Sequence, residues 1–492
     1  MTCRRTSGLT ASLLVSAAMC AAACSNSNGV RTGASDAAPD HPAAKDSGPL
    51  MDGSANDAPK VLDAVDAVDA PSSDSPTHED GGGTKHDATV DATDSPDADA
   101  LSDAPTSHDG GVDAHHDSGT HVDAHVDAGV DAGPPALRYI GRTLTDGTDP
   151  DGNGNCTAAT PCFEWSGTQV MARFTGATAF NLAMSDYGSY FDVYVDGVLQ
   201  ATPVIGVSGQ MEYAVATGLS ASATHVVSLY KRTEASIIGR TMILGYSFPN
   251  GGTLLPPPPA PTRRIEVIGD SISCGYGVLG PNASCTEGTN YEDHDDTYEA
   301  ITGRSLDAEV YTIASSGRGM YVNIDGTTTC TPSSNTDPCT LPEIYGFTLP
   351  YVNPGVTPSA WSFASWVPDV VVINLGTNDF FFFNGDPGEI FETTYLAFVR
   401  KVRQNYPGAW IFCTNGPMLT QSGTPATGEY AQAQTYIQSV VSTMADPKVT
   451  YLGFATQNQN AANQGCDGHP NPATHQAMAT QLTAALTTAL GW

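Results

Sequence analysis

Five short apolar runs, at residues 265–268, 310–314, 370–375, 410–413 and 449–454, constrain this chain more than any other feature. None is long enough for a buried helix, and none alternates polar with apolar residues. That is the pattern of strands covered on both faces. Helical patterns lie between them. Phe391, Tyr395, Phe398, Val399 and Val402 share one helical face, and 430–444 and 472–490 read as further helices. Strands alternating with helices pack as a parallel sheet with helices on both sides and right-handed crossovers. The expectation for residues 263–492 is therefore an α/β, three-layer α/β/α domain. Its functional residues should gather at the carboxyl ends of the strands.

The stretch before this domain is built differently. From 137 to 251, short β-rich runs such as 190–195 and 225–230 alternate with Gly, Asp and Asn turns. Asp196-Gly197 between two such runs is a hairpin signal. No long helical pattern intervenes, so a β-sandwich is expected. Residues 252–262 contain Pro256-Pro257-Pro258-Pro259 and read as a semi-rigid spacer.

Residues 24–136 are of low complexity and rich in Asp-Ala. From 25 to 137 there are 23 acidic residues, four basic ones and no Phe, Trp or Tyr. Such a chain cannot bury enough apolar surface to offset its ordering entropy, so a disordered tether is expected. The net charge of -33 largely describes this tail, and it argues against nucleic acid as a partner. The histidines gathered here, among them His115, His116, His121 and His125, read as part of a solvated spacer rather than a metal site.

The first residues read as an export signal. Arg4 and Arg5 precede an apolar stretch at 9–18 that is too short to span a bilayer. Ala21-Ala22-Ala23-Cys24 resembles a bacterial lipobox. That resemblance implies a cleaved signal peptide at 1–23, lipid on Cys24, and an exported lipoprotein of the cell envelope, at the outer membrane or cell surface. The membrane would be touched only through the anchor. Eight cysteines follow Cys24, and an even number in an exported protein favours disulfides. Nearness in sequence suggests Cys156–Cys162, Cys274–Cys285 and Cys330–Cys339, leaving Cys413–Cys466, although sequence alone does not fix the connectivity.

The residues suited to chemistry lie at strand ends. Gly269-Asp270-Ser271-Ile272 follows the first run, with Gly275 and Gly277 nearby, and Gly317 follows the second. Asn378, in Gly376-Thr377-Asn378-Asp379, follows the third; Asp467-Gly468-His469-Pro470 lies past the fifth. A serine hydroxyl is a poor nucleophile until a base takes its proton, and neutral imidazole suits that task near neutral pH. An oxyanion needs fixed donors, which the Ser271 and Gly317 N–H groups and the Asn378 amide would supply. Ser273, Ser315 and Ser316 are alternative nucleophiles, and His294 and His475 alternative imidazoles. None of these serines follows the Gly-Asp pair, and His475 reads as a capping or packing residue. Asp467 stands two residues before His469. In an extended segment it would share its side and could hold the imidazole in the right tautomer. Asp270 and Asp379 read as structural. Tyr321, Arg318 and the run Phe380-Phe381-Phe382-Phe383 are candidates for contact with substrate, with core packing the alternative for most of the rings and a surface ion pair the alternative for Arg318.

In these blocks the chain resembles the SGNH (GDSL) hydrolases, a flavodoxin-like fold whose four blocks contribute Ser, Gly, Asn and His. The matching positions here are Ser271, Gly317, Asn378 and His469. It is more narrowly similar to carbohydrate esterase family 2, the acetyl-xylan esterases with an N-terminal, jelly-roll-like β-sandwich. That likeness rests on Ile268 to Gly277, Ser316-Gly317-Arg318-Gly319-Met320-Tyr321, and Gly465-Cys466-Asp467-Gly468-His469-Pro470-Asn471. The wider superfamily places its acid three residues before the histidine. The narrower family varies, with a backbone carbonyl replacing the acid in some members. The resemblance implies a monomeric serine esterase without metal or organic cofactor, acting on acetylated carbohydrate of plant origin. A lipid esterase, a deacetylase of envelope glycan and a non-catalytic carbohydrate-binding protein are the competing readings.

Overall fold

The computed structural model describes residues 136–148, 156–329, 339–352, 356–420 and 428–492. Cys24, the signal-like start and the Asp/Ala-rich tract through residue 135 lie outside the described residues.

Two antiparallel sheets form the first domain. One has Arg138–Ile140, Gln169–Thr175, Thr224–Lys231, Tyr190–Val195 and Val198–Leu199 in spatial order, with Thr253–Leu255 and Val204–Ile205 paired alongside. The other orders Leu144–Asp146, Thr157–Phe163, Thr241–Ser247, Ala179–Ser185 and Glu212–Thr217. Gln169–Thr175 and Ala179–Ser185 each bury every second residue, as strands with one core face do. The inward set includes Phe174, Phe180, Leu182, Phe191 and Leu229. The expected hairpin turns at Asp196 and Gly197, with φ of 51° and 79°. Both central residues of a type I′ turn require positive φ, which asparagine, aspartate and glycine tolerate best.

The sandwich extends further than the sequence suggested. Thr253–Leu255 pairs with Arg173 to Thr175 and buries Leu254 in the core, so the first residues of the expected spacer belong to the sheet. Two leucines before the proline run supply that strand, and the prolines, which lack a donor, end it.

The second domain holds a parallel sheet of β1 (Arg263–Gly269), β2 (Ala308–Ala314), β3 (Val370–Asn374), β4 (Trp410–Asn415) and β5 (Val449–Gly453), in spatial order β2-β1-β3-β4-β5. The five expected strands are all present. The helices that frame the sheet and the site are α1 (Ser271–Cys274), α2 (Tyr298–Leu306), α3 (Thr377–Phe383), α4 (Glu389–Asn405), α5 (Glu429–Met444) and α6 (Pro472–Leu490), with a further single turn at Leu341–Ile344. The core face of α4 is Phe391, Tyr395, Phe398, Val399 and Val402, as its spacing predicts. Val371 and Ile373 pack with α4 and α5, whereas Val370 and Val372 pack with α2 and α6, which gives the three layers. Each of these fully buried aliphatic side chains contributes roughly 1.5–3 kcal/mol. Gly269 is level with Ala314 on one side and Asn374 on the other. The segments leaving β1, β2 and β3 therefore emerge together. Among the described residues no helix is long and apolar enough to cross a membrane.

The cysteines pair differently from their spacing. Cys156–Cys162 is present, but Cys285 joins Cys466 across 181 residues, with Cα atoms 4.7 Å apart. The expected Cys274–Cys285 and Cys413–Cys466 pairs are absent, and Cys274 and Cys413 are buried thiols. Cys413 is enclosed in the core as part of β4, so nearness in sequence was a poor guide to distance. Cys339 is disulfide-bonded; its expected partner, Cys330, lies outside the described residues.

Candidate active site

Ser271 opens α1 directly after β1. The buried Asp270 precedes it and accepts the Ile272 N–H at 3.0 Å, fixing the turn. Burial pushes the Asp270 carboxyl up to about 7, and the nearby Asp379 adds to the effect. Gly275, at φ 83°, ends the short helix in a left-handed conformation; a Cβ there would meet the Asp293 carbonyl oxygen at 2.3 Å. This reversal leads the chain into Tyr276 and Gly277.

His469 arrives from the segment between β5 and α6, and its Nε2 lies 2.9 Å from Ser271 Oγ. The serine and imidazole that sequence placed 198 residues apart therefore share a hydrogen bond. Burial holds the His469 imidazole down to about 4, so at neutral pH it is an unprotonated base.

The orienting role expected of the Asp467 carboxylate is not what the structure shows. Its Oδ2 accepts the Tyr276 hydroxyl and the Glu287 N–H, both at 3.0 Å. The segment is not extended: Asp467 sits in a 3-10 turn at φ 52°, so residues two apart do not share a side. His469 Nδ1 is buried without a hydrogen bond of good geometry, and its protonated form is favoured by the Cys466 carbonyl, then by the charge of the Asp467 carboxylate and the Asp467 carbonyl. The Tyr276 ring packs against the imidazole with centroids 4.2 Å apart. Asp467 thus touches the histidine's neighbour. Beneath this loop, Cys466 N donates to Gly277 O at 2.9 Å and Asp467 N to Cys285 O at 3.0 Å, beside the Cys285–Cys466 bond.

Gly317 follows β2 at φ 76°, and neither its N–H nor that of Ser271 is engaged by an acceptor among the described residues. Asn378, on α3, donates one amide hydrogen to Arg318 O at 2.8 Å, which leaves its second hydrogen to be used. Asp379 accepts the N–H groups of Met320, Tyr321 and Val322 at 2.7–3.0 Å. One carboxylate so pins the loop that carries Gly317, and the structural role expected of it has this physical form.

Ser273, Ser315, His294 and His475 are engaged elsewhere, and the buried Ser316 hydroxyl has no imidazole on it among the described residues. Ser273 Oγ is 3.0 Å from the Tyr298 hydroxyl, and Ser315 Oγ bonds to the Tyr351 hydroxyl. His294 joins Tyr230 and Thr312, and His475 Nδ1 accepts the Tyr298 N–H. Arg318 does not form the surface ion pair that was its alternative: it is buried, donates to Cys339 O at 2.7 Å and lies over the Tyr351 ring. Tyr321 is half-buried. Phe380 belongs to the core, whereas Phe381, Phe382 and Phe383 are exposed. Phe382 lies against Gly326, close in sequence to Ile324, which packs beside Gly317.

Sequence reasoning missed three features. Tyr276 carried a signal, since it stands between the two glycines of the first block. The Cys285–Cys466 bridge and Glu234 of the sandwich carried none. Glu234, Cys274 and Glu292 bring ligand-type atoms within 4.8 Å of one another, the one such group among the described residues that could hold a metal ion. Both carboxylates already accept backbone N–H groups.

Comparisons with known proteins agree with the two-domain fold. Residues 154–258 match the model of the carbohydrate esterase 2 N-terminal domain, and residues 267–477 that of the GDSL-like lipase/acylhydrolase family. The chain is 37% identical to the cellulase/esterase CelE of Acetivibrio thermocellus over 73% of its own length, and it spans 40% of that protein's length. It is 28% identical to an acetylxylan esterase / glucomannan deacetylase of Cellvibrio japonicus, over 63% of this chain and 78% of that one. A family two carbohydrate esterase from Clostridium thermocellum, solved in complex with cellohexaose, superposes with a TM-score of 0.62 at 34% identity, covering 73% of this chain and all of the other. With the two-domain order, the paired Ser271 and His469 and a relative matched over its whole length, the chain belongs to carbohydrate esterase family 2, on the SGNH hydrolase scaffold.

Proposed function

We propose that this protein is a serine esterase that removes O-acetyl groups from plant polysaccharide or oligosaccharide, in the manner of an acetyl-xylan esterase. The 2.9 Å contact between Ser271 Oγ and His469 Nε2 at the carboxyl end of the sheet carries the reading. Ser271 Oγ attacks the acetyl carbonyl while His469 takes the hydroxyl proton. The tetrahedral oxyanion is met by the Ser271 and Gly317 N–H groups and the Asn378 amide; one such donor is typically worth about 10²–10³ in turnover. Collapse expels the sugar hydroxyl, protonated by His469, and leaves acetyl-Ser271. Water, deprotonated by the same imidazole, then releases acetate and restores the serine. The acetyl-xylan and glucomannan activities named for the Cellvibrio protein support this substrate class.

The test is a panel of acetylated xylan, glucomannan and p-nitrophenyl acetate, with wild type and Ser271→Ala. Acetate release should vanish in the variant, and full activity there would defeat the mechanism. The exposed Phe381, Phe382 and Phe383 beside the Gly317 loop favour a second reading, an esterase for longer acyl chains. Rates that rise from acetyl to octanoyl esters would select it. Export as an envelope lipoprotein anchored through Cys24, with the catalytic part acting as a monomer, belongs to the same proposal. It is supported by the residues preceding Cys24 and by the acidic tract that follows.

A further inference from the structure

The sandwich is not only an appendage of the hydrolase domain. The junction between them is polar and buried: Arg142 pairs with Glu266 at 3.0 Å, with both side chains wholly enclosed, and the Tyr230 hydroxyl meets His294 Nδ1 at 2.6 Å. One sandwich residue reaches further. Glu234 precedes the short helix Ala235–Ile238 and has no exposed surface. Its own N–H is held by Glu292 Oε1 of the hydrolase domain at 3.0 Å. Its Oε2 accepts the Ser316 N–H at 2.8 Å and the Cys274 thiol at 3.5 Å.

Those two contacts fall on the two segments that matter most. Cys274 is the last residue of α1, the helix that opens with Ser271. Ser316 immediately precedes Gly317, whose N–H is one of the oxyanion donors of the proposed reaction. Ser316 N has no other acceptor among the described residues, and β2 has ended at Ala314, so the sheet does not hold this peptide. A buried N–H with a single acceptor is costly to leave unmet, so the position of that acceptor fixes the peptide. Gly317 then turns through φ 76°, and small errors before such a turn swing the next N–H off target.

We infer that Glu234 of the sandwich domain is a positioning residue for ester hydrolysis, holding the Gly317 loop and the Ser271 helix in register through Ser316 N and Cys274 Sγ. It touches no reacting atom. The inference rests on the esterase reading above. Its consequence is that placement of the acceptor, not its charge, governs turnover.

The experiment compares Glu234→Gln with Glu234→Asp in the full chain, using p-nitrophenyl acetate and Ser271→Ala as the blank. Glutamine keeps an oxygen at the same reach, whereas aspartate keeps the carboxyl group but withdraws the acceptor by one methylene. The expected result is kcat within about threefold of wild type for glutamine and a loss of about 10²-fold for aspartate, the scale of an active-site misplacement near 1 Å, with KM little changed in both. Aspartate equal to wild type, glutamine falling as far as aspartate, or an effect confined to KM would each overturn the inference. Amide hydrogen exchange on the wild type covers the case of a variant that does not fold. Ser316 N–H should exchange slowly, and exchange at an unprotected rate would also overturn it. Wild type without any Ser271-dependent acetate release would sink the esterase reading instead, leaving the exchange measurement to decide the anchoring of Ser316.

Discussion

Replacing Asp467 should lower turnover by no more than about tenfold, although an aspartate beside a base is usually worth far more. Where an aspartate carboxylate holds the imidazole directly, its loss costs about 10⁴ in kcat. Here the carboxylate contacts the Tyr276 hydroxyl and the Glu287 N–H, at 3.0 Å each, and the residue is exposed. A hydrogen bond to a charged group is worth roughly 1.5–3 kcal/mol when sheltered; solvent screening at an exposed site reduces that to about 1 kcal/mol. Even if all of it reached the transition state, through the Tyr276 ring or through the carboxylate's charge on His469, about 1.4 kcal/mol would be needed for a tenfold effect. The assay is kcat and KM on p-nitrophenyl acetate for wild type, Asp467→Asn and Tyr276→Leu, with asparagine chosen because it tolerates the left-handed backbone. Tyr276→Leu, which removes the packed ring itself, should lose more than Asp467→Asn. The same enzymes tested across pH report on the base. His469 is held near 4 by burial, and only its neutral form accepts the serine proton. Activity should therefore persist as pH falls through 6.5 and decline as it passes through about 4. A 10⁴ loss in folded Asp467→Asn, or an acid limb near 6.5 in wild type, would refute this account of the site.

Removing the Cys285–Cys466 bridge by a Cys285→Ala, Cys466→Ala pair should cost about 2–4 kcal/mol of stability, read from urea midpoints, and should also lower kcat, because the bridge braces the turn before His469. The Cys156→Ala, Cys162→Ala pair should lower stability without changing kcat; equal effects of the two pairs on kcat would argue against the bracing role. Wild type should incorporate labelled palmitate in a bacterial host and Cys24→Ala should not; equal labelling would remove the anchor from the proposal.

The sequence made the hydrolase domain readable because its strands are buried on both faces and its helices carry a regular apolar stripe. The same regularity put Ser271, Gly317 and Asn378 at one edge, since loops leaving adjacent parallel strands must emerge together. His469 was readable from its block and its place before α6. What escaped was anything that depends on the path of an irregular segment. The spacing rule for extended chain points to Asp467, and a 3-10 turn with a left-handed residue cancels that rule. The bridge from Cys285 to Cys466 is hidden because nearness in sequence favours Cys274. The adjacent prolines dominate the composition around Leu254 and make it read as spacer, whereas its side chain completes the sandwich core. Glu234 had no motif around it, and its partners come from a different domain.

The sequence separation of 198 between Ser271 and His469 also sets an order of events. A chain made from its amino end would have the proposed nucleophile and oxyanion donors in place while the imidazole was still unborn. Such a nascent chain would be chemically silent toward esters. Competence would arrive late and all at once, when the segment after β5 folds back, seals to the loop at Cys285, and lets α6 close over the sheet.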